Sequence, residues 1–210
     1  DAVLEARLGP AGGAVGSSAA DGAGALRWDA AATKWLTAGR CYALLDLRTL
    51  GQAGGAEVRT HVVDATAAFL AQAGPADAPW LGRLVVEGAH GGQLSGIDAL
   101  VLGLDRGLRT LEFDGMAGDR LLRANAEVGK VAPWELLGLA RVGGAAFLGA
   151  GCAWWADEDR GPGDARREAG FGLRLGPTRS ANTQVTRIDL TWDLDHGSGP
   201  VLTAVTRGLF

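Results

Sequence analysis

From Val185 to Leu194 the sequence reads VTRIDLTWDL, and every second side chain is apolar. Ile188, Leu190, Trp192 and Leu194 fall on one side, with Arg187, Asp189, Thr191 and Asp193 on the other. Period-two alternation puts such sets on opposite faces of an extended strand, whereas a helix would mix them. The pattern recurs upstream. Ala169, Phe171, Leu173 and Leu175 alternate with Gly170, Gly172, Arg174 and Gly176. Leu122, Ala124, Ala126 and Val128 alternate with Arg123, Asn125 and Glu127.

Earlier segments follow it less cleanly. Leu26, Trp28, Ala30 and Ala32 form one set, and Cys41, Ala43, Leu45 and Leu47 another. Strands are also expected around 2–9, 55–69 and 80–90, although Asp64 fits neither face well. The last segment runs from Val201 to Phe210. Turn signals divide these stretches: GPAGG near Gly9, GQAGG at Gly51, GPTRSAN after Leu175 and DHGSGP after Leu194. About ten strands result, many nearer ten residues than the usual five or six.

Composition narrows the class. Glycine, at 34 of 210 residues, is well above the ordinary ~7%, yet no Gly-X-Y period occurs and charges run throughout. A collagen-like or plainly disordered chain is thereby excluded. Twenty basic against twenty-four acidic residues give a formal charge of −4, with no basic stripe to displace counterions from phosphate. No nucleic-acid partner is expected. No apolar run approaches the ~18 residues of a spanning helix. The chain opens at Asp1 without a basic n-region or an apolar h-region, so no signal peptide is expected within it.

Long antiparallel strands with one apolar face have two homes. In a soluble sandwich or barrel that face looks inward. In a membrane barrel it looks out at lipid, and charges line the lumen. Arg, Asp, Glu and Gly recur on the polar face, as a wet interior allows. Trp28, Trp80, Trp134, Trp154, Trp155 and Trp192 lie near the ends of the expected strands, as interfacial girdles do.

Residues 107–120 read GLRTLEFDGMAGDR. Then come ANAEV, RVGGAAFLGAGCAW, FGLRLGPTRS, VTRIDLTWDL and VLTAVTRGLF, in that order. This succession, over about 80–210, resembles the C-terminal half of the BamA/TamA-type surface-antigen barrels, a superfamily that includes the two-partner-secretion transporters. The resemblance implies an all-β fold, an antiparallel transmembrane β-barrel. Residues 1–210 would supply about ten C-terminal strands of a sixteen-stranded outer-membrane barrel domain. It further implies an inward-folded loop at about 96–118, tipped by Arg109, and a role in inserting or translocating proteins through a gated lumen. Outer-membrane lipid, and client outer-membrane or secreted proteins, would be the partners. Alternatives from other classes are a passive outer-membrane pore or structural barrel, and a soluble all-β binding domain.

Two departures from the resemblance bear on the loop. Its Arg-Gly-aromatic tip is here Arg109-Thr110-Leu111, and the aspartate of its FxDxG strand is Gly149. That aspartate would pair with the loop arginine. Burying an unpaired arginine costs several kcal/mol, so another carboxylate is expected near Arg109. Glu127, lumen-facing on the preceding strand, is the first candidate and Asp189 the second. At the other end of the chain, Phe210, Gly208 and Leu202 lie on the side of the last strand expected to face lipid. They resemble the signal by which such barrels are recognised for assembly.

No constellation for catalysis, cofactor or metal is expected. His61, His90 and His196 lack zinc spacing, and Ser95 in GGQLSG is not a nucleophile elbow. Asp157, Asp159 and Asp164 lack the EF-hand pattern and its closing Glu. GAGAL at 22–26 lacks the third glycine of a dinucleotide fingerprint. Cys41 and Cys152 fall on the lipid-facing set of well-separated strands and are expected as free thiols.

Overall fold

A computed structural model describes residues 2–10, 25–54, 57–94, 98–103, 108–111, 115–177, 184–197 and 199–208. Ten strands form one antiparallel sheet: β1 (Ala2–Pro10), β2 (Ala25–Ala38), β3 (Cys41–Gly54), β4 (Glu57–Ala73), β5 (Trp80–Gly92), β8 (Arg120–Leu136), β9 (Ala140–Trp154), β10 (Arg166–Pro177), β11 (Gln184–Asp193) and β12 (Val201–Gly208). Two short strands, β6 (Leu100–Leu102) and β7 (Met116–Gly118), pair with each other between β5 and β8. Each strand of the large sheet pairs with its neighbour in the chain, except that β5 pairs directly with β8. Only β1 and β12 carry a single ladder, so the described sheet is open, with two free edges.

The meander follows from local chemistry. Gly39, at φ +61°, opens the two-residue turn between β2 and β3, where Ala38 pairs with Cys41. A glycine first in a two-residue hairpin loop matches the right-handed strand twist. At that end of the sheet the connections 39–40, 74–79 and 137–139 are short. At the other end lie the longer ones, 93–119, 155–165 and 194–200. Trp80 and Trp134 lie toward the short-turn end, while Trp28, Trp154, Trp155 and Trp192 lie toward the long-loop end.

The sheet is inverted relative to a soluble core. Along β8, Leu122 and Val128 are exposed while Glu127 between them is largely covered. Leu148 of β9 is 60% exposed and Leu202 of β12 71%. On the opposite face Glu87, Glu168, Asp189 and Thr191 are each 4% exposed or less. Lone exposed leucines are ordinary in proteins, but a contiguous apolar face backed by buried carboxylates is not.

The β6–β7 hairpin lies on the inner, polar face. It packs Leu100, Leu102, Leu108 and Met116 against Leu121, Ala153 and Ala89. β5, the strand that precedes the loop, is tied to the loop's far end by Gly91, whose N–H donates to the Asp119 carbonyl at 2.7 Å.

Three expectations need amendment. Cys152 is not exposed to its surroundings: it is 1% exposed, and its thiol donates to the Gly161 carbonyl at 3.2 Å. Strand alternation puts it on the outer side, but the 155–165 connection folds over that end of β9. Asp64 belongs to the inner face of β4, opposite Arg48, and accepts from Thr66 at 3.3 Å. Leu194 lies just past β11, in the turn that follows it. Both cysteines are free thiols. Phe210 lies outside the described residues, while Gly208 closes β12 opposite Gln184.

Candidate functional site

The inner face gathers its charge around one side chain. Arg109 comes from the loop between β6 and β7, next to Leu108, which is itself almost fully buried. Its Nε lies 2.7 Å from Asp189 of β11, its Nη1 3.3 Å from Glu168 of β10 and its Nη2 3.6 Å from Glu127 of β8. Beneath it, the Phe147 ring of β9 lies 3.7 Å from the guanidinium carbon. A guanidinium offers five donors in a fixed planar fork, so it can serve several carboxylates at once where an ammonium could not.

Four adjacent strands therefore meet at one residue. Neighbouring strands run ~4.8 Å apart, so a flat sheet would hold β8 and β11 some 14 Å from each other. One guanidinium spanning them means that the sheet curves around the loop. Arg174 of β10 completes the cluster, 2.9 Å from Glu127 and in direct contact with Asp189. Three carboxylates share two guanidinium groups, and each cation touches at least two of them. Farther along the same face Arg123 pairs with Glu87 across the β8–β5 ladder.

Both carboxylates expected from the sequence thus reach Arg109, with Asp189 the closer of the two. The third, Glu168, is one that sequence reasoning missed. Its Oε2 accepts the main-chain N–H of Arg109 at 2.6 Å and that of Thr110 at 3.0 Å, and it also takes the Thr110 hydroxyl at 3.3 Å. In the sequence, Glu168 follows Arg166 and Arg167 and looks like part of a solvated charge run. Only its register opposite Gly149 and Asp193 brings it to the loop.

Small residues make the close approach possible. A Cβ on Gly172 would land on the Asp189 carboxylate and the Ile188 carbonyl, and one on Gly118 would strike the Trp154 backbone. Substituting alanine for Gly172 is expected to push Asp189 off Arg109 and to cost about 1–3 kcal/mol, the usual range for overpacking. Urea or thermal midpoints of the two proteins will show it. An unshifted midpoint would mean that the inner wall has room that its glycines do not suggest.

At the long-loop end a rim of charge borders a cavity of about 890 Å³, lined by Met116 from the hairpin and by residues of the 155–165 and 194–200 connections. Asp195 accepts the Arg167 side chain at 2.8 Å and its main-chain N–H at 2.6 Å. The side-chain bond above all holds the Asp195 carboxyl below its usual range. That favours the clasp at neutral pH and releases it on acidification. Among the described residues no group of three or more His, Cys, Asp or Glu side chains is placed to hold a metal ion, and no helix is long and apolar enough to cross a membrane.

No protein-family model matches the chain, and no curated protein matches it in sequence.

Proposed function

We propose that this chain forms part of the wall of a bacterial outer-membrane β-barrel, similar to the BamA/TamA-type factors that insert or translocate proteins. Its lumen would be plugged by the loop at 96–118. One observation carries the reading: apolar side chains crowd the exposed face of the sheet, and the ionised ones sit on the covered face beside the loop. Water on the outer face would leave Leu148, Leu173, Phe171 and Leu202 at least half exposed. Transferring such side chains fully out of water is worth about 1.5–3 kcal/mol each. Lipid supplies that transfer, and the tryptophans toward both ends of the strands suit its two interfaces.

The free edges of β1 and β12 fit the same reading. An open sheet in lipid leaves two rows of backbone groups without partners, so in a barrel these edges would pair with further strands or with each other. Client proteins, of the outer-membrane or secreted kind, would pass through or beside the lumen that the loop occupies.

The test is refolding into detergent micelles or lipid vesicles, followed by gel migration with and without boiling. A β-rich, heat-modifiable species is expected. A β-structured protein that stays dispersed without detergent would overturn the membrane reading. Ion conductance in a planar bilayer with no dependence on client proteins would instead favour a passive pore.

A further inference from the structure

Gly149 and Glu168 face each other as direct partners across the β9–β10 ladder, on the inner face beneath the loop. Gly149 is buried. A Cβ placed on it would stand 2.9 Å from the Glu168 Cγ, 3.0 Å from its Oε1 and 3.1 Å from Leu108 of the loop. The empty space above Gly149 is therefore filled from the neighbouring strand by the Glu168 side chain. Any side chain at 149 would contest both that carboxylate and the loop residue next to Arg109.

Glu168 holds the loop differently from Glu127 and Asp189. Of the loop, those two meet only the Arg109 guanidinium, at the end of a long flexible side chain. Glu168 accepts from the main-chain N–H groups of Arg109 and Thr110, so it fixes the backbone of the tip itself. Charge-assisted bonds of this type are among the stronger ones, and losing the acceptor strands two donors in a covered site.

We infer that Glu168 is the positioning residue that latches the loop to the wall, and that the bare backbone at Gly149 is the condition for it. The latch and a side chain at 149 exclude one another. A carboxylate at 149 in addition to Glu168 would crowd the site and put a fourth negative charge among Glu127, Glu168 and Asp189. With Glu168 removed, the same carboxylate would enter the vacated volume. The inference rests on the loop being seated on the inner face, and uses the membrane reading only in calling that loop a plug.

The experiment measures tryptic cleavage after Arg109 in the folded protein, with circular dichroism to verify that each variant keeps its β content. Cleavage of a transiently opened segment follows the population of the open form. Glu168→Ala is expected to speed cleavage on the order of tenfold or more, as the loss of charge-assisted bonds implies. Glu168→Gln keeps an oxygen for the two N–H donors and should stay within about threefold of wild type. A side chain that mattered only for its charge would make the Ala and Gln variants alike.

Gly149→Asp alone should open the loop as Glu168→Ala does, while the double variant Gly149→Asp/Glu168→Ala should be slower to cleave than either single one. Wild-type cleavage rates for Glu168→Ala, or a double variant no better than the singles, would overturn the latch. A wild-type loop cut as fast as the boiled chain would overturn loop seating and the latch with it. The heat-dependent gel shift reports on the barrel separately, so failure of the membrane reading leaves its own signature.

Discussion

Replacing Arg109 with alanine will destabilise the folded protein by about 3–5 kcal/mol, the cost of removing one partner from a covered ion network. The magnitude follows from what remains. Glu127, Glu168 and Asp189 would then face each other, with Arg174 in contact with the first and the last and no cation in contact with Glu168 among the described ion pairs. The Phe147 ring would also lose the cation stacked on it. Arg109→Lys keeps the charge but forfeits the fork, so it should fall between alanine and wild type. Urea midpoints in micelles will rank the three proteins. A loss below 1 kcal/mol for alanine would show that the carboxylates are satisfied without the loop, and that the loop rests on Glu168 and apolar packing alone.

The second large effect concerns the outer face. Leu148 lies near the middle of β9, is 60% exposed, and sits between Ala126 and Ala169 on the adjacent strands. In lipid, Leu148→Arg would carry a guanidinium close to the bilayer midplane and cost about 2–4 kcal/mol. In water the same substitution at an exposed site would fall within about 0.5 kcal/mol of zero. Leu137→Arg, in the short turn between β8 and β9 and 86% exposed, is the control and should be near neutral in either medium. Folding midpoints in vesicles give the answer directly. Equal, small effects at 148 and 137 would place the sheet's outer face in water.

How much of this was legible depends on where the information resides. The strand at 184–193 could be read because its alternation is local and unbroken: Ile188, Leu190 and Trp192 against Arg187, Asp189 and Thr191. The meander could be read because each turn signal joins sequence neighbours that pair. What stayed hidden depends on distant register. Asp64 looked out of place until Arg48 stood opposite it across β3 and β4. Cys152 obeyed the alternation and is nonetheless covered, because a connection later in the chain returns over it.

The site was readable in the same uneven way. Arg109, the loop and its inward path came from resemblance, since no periodicity marks a loop as inward. Glu127 and Asp189 could be named because each lies on the polar face of a clear strand. Glu168 could not, since it sits 59 residues from the arginine it serves and its neighbours Arg166 and Arg167 disguise it as a rim charge. The empty position at Gly149 pointed to a missing acid, and the acid stands one strand away.

The gathering of four strands at Arg109 also sets an order of events. Glu168 and Asp189 follow the loop by some sixty to eighty residues, and neither can reach it until β10 and β11 have joined the wall. Contacts between such distant stretches form late, because the entropy of closing the intervening chain must be overcome first. The full set of loop contacts therefore requires β8, β10 and β11 to be in register together. A slipped ladder at β10 or β11 would turn these carboxylates to the opposite face and leave the arginine without them. Contact between Arg109 and its carboxylates is therefore a test of register in β8, β10 and β11 at once.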